Sequence, residues 1–146
     1  MTLKVYNPFN QEVVVELPYD TDSHIGDKIG IFRRSAEKWR QAPLKERIGT
    51  VKKGLDYFRT NKAVIAEEIS RQMGKPINQS RNELGGFFER AEHMLAIAPD
   101  ALSAEILPGK VGFHRRIEHE PLGVVLDIAT WNYPLLIAVN VFIPAL

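Results

Sequence analysis

The sequence predicts an α/β protein in which a helical part precedes a single strand–turn–helix unit. Three observations carry this reading. Apolar residues recur at steps of three and four between residues 25 and 95, the period of amphipathic helices. Gly123-Val124-Val125-Leu126-Asp127-Ile128-Ala129 is a β-rich run with the character of a strand buried on both faces. Behind it, Thr130 to Tyr133 reads as a turn and Pro134 as the start of a last apolar helix.

The elements follow in order. Asn7-Pro8-Phe9-Asn10-Gln11 carries turn residues, and Val13, Val15 and Leu17 alternate with Val14 and Glu16, so residues 1–20 read as a hairpin or extended arm. Ile25, Ile29, Phe32, Ala36 and Trp39 form the apolar stripe of a first helix, with Ser23 as its N-cap. Pro43 opens a second helix at its first position, with Leu44, Ile48, Val51, Leu55 and Phe58 inward. A third helix runs from about Lys62 to Met73 and is stopped by Gly74 and Pro76. The fourth, from about Asn78 to Ala98, turns Leu84, Phe87, Phe88, Ala91, Met94 and Leu95 to the core. Gly85-Gly86 weakens it locally, which a close approach of another element would explain. After the Pro108-Gly109 turn, residues 111–119 read as an exposed strand with Phe113, Arg115, Ile117 and His119 on one face. A single buried strand needs partners on both edges. None of comparable character precedes Gly123, so the sheet is expected to be incomplete here, its other strands lying beyond Leu146.

Composition narrows the function classes. Hydrophobic residues make up 45% and charged residues 25% of the 146, with a formal net charge of +1. That is a globular composition with no field to draw nucleic acid or anionic membranes. The absence of cysteine excludes a disulfide, a thiolate metal site or a cysteine nucleophile within these residues. It suits the cytoplasm, as does an N-terminus without a signal-peptide pattern. His114 and His119 fall on opposite strand faces at no zinc-binding spacing, so no metal site is expected. From Pro121 to Leu146 the only charge is Asp127, which raises a membrane tail as one reading. Asp127, Asn132 and Asn140 would be costly in lipid and Pro134 and Pro144 interrupt the run, which favours a buried strand and helix.

The chemistry concentrates in Trp131-Asn132-Tyr133-Pro134. Ligands of open α/β sheets bind at the carboxyl ends of strands, where Asn132 would stand. Its amide NH2 can donate to a developing oxyanion, with the positive end of the following helix beside it. Asn132 as a plain N-cap, and Trp131 and Tyr133 as core aromatics, are the alternative readings. Glu120-Pro121-Leu122-Gly123-Val124-Val125 followed by Trp131-Asn132-Tyr133-Pro134-Leu135 closely resembles the aldehyde dehydrogenase superfamily. The likeness runs back through Gly74-Lys75-Pro76 with the later Glu83, Trp39 before Glu46-Arg47, and Asn7-Pro8 before Glu12-Val13.

That resemblance implies an NAD- or NADP-dependent oxidation of an aldehyde to an acid. In the family a cysteine thiolate adds to the aldehyde, hydride passes to the nicotinamide, and glutamate-activated water hydrolyses the thioester. It implies Asn132 as the side-chain oxyanion donor, and Ile128, Ala129, Thr130 and Trp131 as the strand end and turn that line the cofactor. Tyr133, Leu136 and Ile137 would be walls of the substrate tunnel. It further implies residues 21–108 as the helical part of a cofactor-binding domain, 109–121 as an oligomerisation strand of a homodimer or tetramer, and 122–146 as the first strand and helix of a Rossmann-like sheet. Thr130 stands where the family usually has proline. The cysteine, the glutamate and the ribose-binding lysine segment are absent, so these residues are expected to be an inactive portion of the enzyme. A non-catalytic helical module, or a truncated paralogue pairing with a full-length subunit, is the alternative.

Overall fold

The computed structural model describes residues 1–146. Five helices and two small antiparallel hairpins make up the chain. Strands β1 (Thr2–Tyr6) and β2 (Val13–Pro18) pair with Leu3 opposite Leu17 and Val5 opposite Val15. Helices α1 (Asp22–Gln41), α2 (Leu44–Thr60), α3 (Lys62–Met73) and α4 (Ile77–Ala101) follow. Strands β3 (Glu105–Ile106) and β4 (Arg116–Ile117) form the second hairpin, and α5 (Pro134–Ala145) completes the fold.

Helix boundaries obey local chemistry. Thr21, not Ser23, caps α1, its hydroxyl accepting from His24 N–H at 3.2 Å. Ser23 lies two residues too far in, because the chain is already helical at Asp22. Pro43 occupies the N-cap position of α2 rather than its first helical one, and Pro76, which follows the end of α3, is the N-cap of α4. With φ near −55° and extended ψ, each needs no N–H there and offers its carbonyl to the first turn. Gly74 ends α3 at φ 75°, and a Cβ there would meet Pro8 Cγ at 2.5 Å, so the tip of the first hairpin docks on the end of α3. Helix α4 continues past Pro99, whose missing donor is tolerated in its last turn.

The core is helical. Val51 and Leu55 of α2, Phe87, Ala91 and Leu95 of α4, and Val139 and Ile143 of α5 form one buried cluster. Phe87 is its centre, with Phe58, Phe88 and Phe142 rings at 4.9, 5.2 and 6.0 Å. Ala66 and Ile69 of α3 are buried as well, and Ser70 and Ser80 share a 2.8 Å hydrogen bond between α3 and α4. A Cβ on Gly86 would come within 2.9 Å of Leu136 Cδ1, so the expected close approach is that of α5 on α4. Gly85 has open space around it and no such reason.

The strand expectations fare differently. Residues 123–129 form no strand: the run takes part in neither hairpin, and Leu126 and Ile128 are 83% and 84% exposed. A helix closes its own hydrogen bonds, whereas a strand exists only by pairing, and both hairpins pair internally. The expected strand over 111–119 shrinks to Arg116–Ile117. Phe113 N–H donates to Lys110 O at 2.9 Å around Gly112 at φ 77°, and this tight turn replaces the first half of the strand. Helix α1 has no buried residue; its stripe faces the Leu122–Leu126 segment across an open recess. No helix is long and apolar enough to cross a membrane.

Candidate active site at the start of the last helix

The first turn of α5 shows where this site is built. A helix leaves its first backbone donors without partners inside it. Pro134 has none to satisfy, and Tyr133, at the N-cap, makes no side-chain capping bond. The Leu135 and Leu136 amides both donate to one carboxylate oxygen, Glu83 Oε1, at 2.9 and 3.2 Å. Ile137 N–H then donates to Tyr133 O at 3.0 Å, the first bond of the helix proper. The cap of α5 is therefore a residue of α4, 52 positions before Leu135.

Glu83 has a fully buried side chain, and its Oε2 accepts from the Lys75 ammonium. An ionised carboxylate removed from water is tolerated only when paired and hydrogen-bonded. Glu83 has an ammonium, two amides and the positive end of a helix. Lys75 is 10% exposed and comes from the short link between α3 and α4, where Gly74 and Pro76 fix the backbone. Its ammonium also donates to the Asn132 backbone carbonyl at 3.2 Å and lies 4.4 Å from the Tyr133 ring centroid. One ion pair thus holds both sides of the turn: the Asn132 carbonyl through Lys75, the α5 amides through Glu83.

Asn132 enters this network only by its backbone. Its residue is exposed, and its side-chain amide does not cap α5. The plain N-cap reading of Asn132 is thereby corrected. Glu83 caps that helix instead.

The remaining candidates fall around the same turn. Ala129, Thr130 and Trp131 border a recess with Ile69 and Met73 of α3 and with Pro134 and Leu135. Trp131 is 76% exposed, and Ile128 lies outside that recess. Tyr133 and Ile137 are each 39% exposed, while Leu136 is half-buried with a methyl against Gly86. Glu83 carried no assigned role in the sequence. Its signals are the Gly74-Lys75-Pro76 segment that precedes it in the family-like pattern and its position four residues before Phe87, on the stripe that Phe87, Ala91 and Leu95 continue into the core.

The chain belongs to the aldehyde dehydrogenase family, whose family model matches residues 1–146. A succinate semialdehyde dehydrogenase of Acinetobacter baylyi is 28% identical over 97% of this chain and 29% of its own length. Among solved structures, an NADP-dependent glyceraldehyde-3-phosphate dehydrogenase from Bacillus halodurans, complexed with NADP, is 26% identical with a TM-score of 0.89 over 99% of this chain and 32% of its own. A double mutant of betaine aldehyde dehydrogenase from Staphylococcus aureus, in complex with NAD+ and with a BME-modified cysteine, is 27% identical with a TM-score of 0.88 over 99% of this chain and 30% of its own. The chain therefore spans about 30% of the length of the relatives it matches.

Proposed function

We propose that these residues supply the oxyanion-binding amide and part of the cofactor wall of an NAD(P)-dependent aldehyde dehydrogenase. The observation that carries the reading is Asn132: its backbone is anchored by a buried ion pair while its side-chain amide stays exposed and uncommitted. An amide NH2 held on a fixed backbone is the kind of preorganised donor that stabilises charge developing on a carbonyl oxygen. When a thiolate adds to an aldehyde, that oxygen becomes the alkoxide of a thiohemiacetal. Asn132 would donate to it from a backbone position already held in place. The thiolate belongs to a cysteine outside this sequence, which contains none.

The residues suit the cofactor in part. Ile128 and Trp131 present apolar surface, and residues 128–146 carry no charged side chain, which fits the faces of planar rings. Ile128, Ala129, Thr130 and Trp131 would form that wall; the groups that hold the phosphates are not among them. When bound, NAD(P)+ supplies the hydride acceptor. Tyr133 at the N-cap of α5, with Leu136 and Ile137 in its first turn, would flank the path of the aldehyde. The exposed β3–β4 hairpin supports a role for residues 109–121 in a homo-oligomer.

The test is aldehyde-dependent formation of NADH or NADPH by the full-length polypeptide that contains this chain. Asn132→Ala is expected to lower kcat by about 10²–10³-fold with KM nearly unchanged. Full kcat in that variant, or a wild-type protein that reduces neither cofactor, would sink the reading.

A further inference from the structure

We infer that Glu83, acting with Lys75, is the positioning residue that sets the direction of the Asn132 amide; this rests on the oxyanion reading above. Helix α5 has a simpler cap within reach. A polar side chain at its N-cap position would satisfy the same amides locally. Instead Tyr133 stands there, and the cap comes from a buried carboxylate on another helix. Two consequences follow. The amide of Asn132 is spared from capping, so both its oxygen and its NH2 remain available. The turn is also gripped at two points by one side chain pair, at the Asn132 carbonyl and at the Leu135 and Leu136 amides.

Between those two points lie only Tyr133, with the Lys75 ammonium over its ring, and Pro134, with its fixed φ. The backbone that carries Asn132 therefore has little freedom left. A buried ion pair is seldom the most stabilising filling for such a space, since apolar residues of equal volume often do as well or better. What apolar residues cannot do is hold two amides and a carbonyl in fixed directions. Glu83 and Lys75 touch no reacting atom; their effect is carried by the backbone to Asn132.

The experiment is a double-mutant cycle in the full-length enzyme, read with backbone amide exchange. Glu83→Gln keeps an oxygen for Leu135 and Leu136 but loses the pairing with Lys75. It is expected to lower kcat on the order of 10–10²-fold, the scale of a small misplacement of a catalytic group, with KM nearly unchanged. With Asn132→Ala already present, Glu83→Gln is expected to lower kcat no further. An equal loss in both backgrounds would overturn the inference, because Glu83 would then serve the fold alone. Exchange of the Leu135 and Leu136 amides reports the cap without turnover. It is expected to quicken more in Glu83→Ala than in Glu83→Gln, and unchanged exchange in both would overturn the grip itself. Lys75→Met with Glu83→Gln removes both charges and guards against a variant that fails to fold; kcat equal to wild type there would overturn the role of the pair. Full activity of Asn132→Ala would instead remove the oxyanion reading, and the exchange data would still report the cap.

Discussion

The interface of α4 with α5 and the segment from Leu122 to Trp131 are neighbours in the chain and opposites in organisation. At the interface Phe87, Val139 and Ile143 are almost wholly buried, and even the charged Glu83 has every partner it needs. In the segment, side chains just as apolar lie open: Leu122 at 95%, Leu126 at 83%, Ile128 at 84%. Hydrophobicity does not separate the two. Helices bring their backbone hydrogen bonds with them and need only a face to pack, whereas a strand requires neighbours before its side chains can be covered.

The sharpest way to break that contrast is to truncate one large side chain in each region. Phe87→Ala is expected to cost about 3–5 kcal/mol, as a buried aromatic at the centre of a cluster does. Ile128→Ala is expected to change stability by no more than about 0.5 kcal/mol. Urea denaturation of the chain followed by circular dichroism measures both. A loss above about 2 kcal/mol for Ile128→Ala would mean that the segment is buried after all.

The same contrast explains what could be read from sequence. The stripes of α2, α3 and α4 were legible because period and burial coincide: Val51 and Leu55, Ile69, and Leu84, Phe87, Ala91 and Leu95 are buried where the steps of three and four put them. The stripe of α1 is legible as a period but not as burial: Ile25 and Phe32 stay 46% and 53% exposed, because the unpaired 122–126 segment they face covers little. The 123–129 run has the composition of a central strand, but composition cannot supply an edge to pair with. At the site, the turn before α5 is legible from Pro134. Glu83 stands out as the acidic residue after Gly74-Lys75-Pro76, but its role as the cap of α5 is not legible, because that depends on the amides of Leu135 and Leu136. Those amides are more than fifty positions away in the chain, and no local pattern announces them.

Gly85 and Gly86 sharpen the comparison at single-residue scale. Both sit inside α4, so alanine at either gains helix propensity of up to about 1 kcal/mol. At Gly85 a methyl meets nothing within 4 Å, and Gly85→Ala is expected to stabilise by about 0.5–1 kcal/mol. At Gly86 the methyl would press on Leu136 Cδ1 at 2.9 Å. Leu136 Cδ1 ends a flexible side chain that can give way, so Gly86→Ala is expected to gain less than Gly85→Ala, by up to about 1 kcal/mol. Leu136 lies in the first turn of α5, so, on the proposed oxyanion role of Asn132, Gly86→Ala is also expected to lower aldehyde-dependent reduction of NAD(P)+, while Gly85→Ala leaves it unchanged. Equal stability changes at the two positions would show that α5 does not approach α4 at Gly86.

The smallest expected effect lies on the open side of the molecule, before α1. The Asp20 carboxyl is held below the usual carboxylate range by its hydrogen bond to the Lys28 ammonium, which outweighs an opposing desolvation and is helped by the charges of Lys28 and His24. A carboxyl whose folded pKa is depressed adds stability above its unfolded value and loses that contribution as pH falls through the folded one. The sign therefore predicts an acid-side loss, and its size is minor because both side chains are about half exposed and solvent screens them. Titration of the Asp20 carboxyl by NMR is expected to show its midpoint rise towards the ordinary range in Lys28→Ala, and to rise in the unaltered chain at high salt, where exposed pairs are screened. The Lys75–Glu83 pair, at 10% and 0% side-chain exposure, is out of reach of the same salt. Amide exchange at Leu135 and Leu136 should therefore be insensitive to ionic strength over the range that releases Asp20. A joint response of both pairs to salt would mean that the turn before α5 is no better sheltered than the surface before α1.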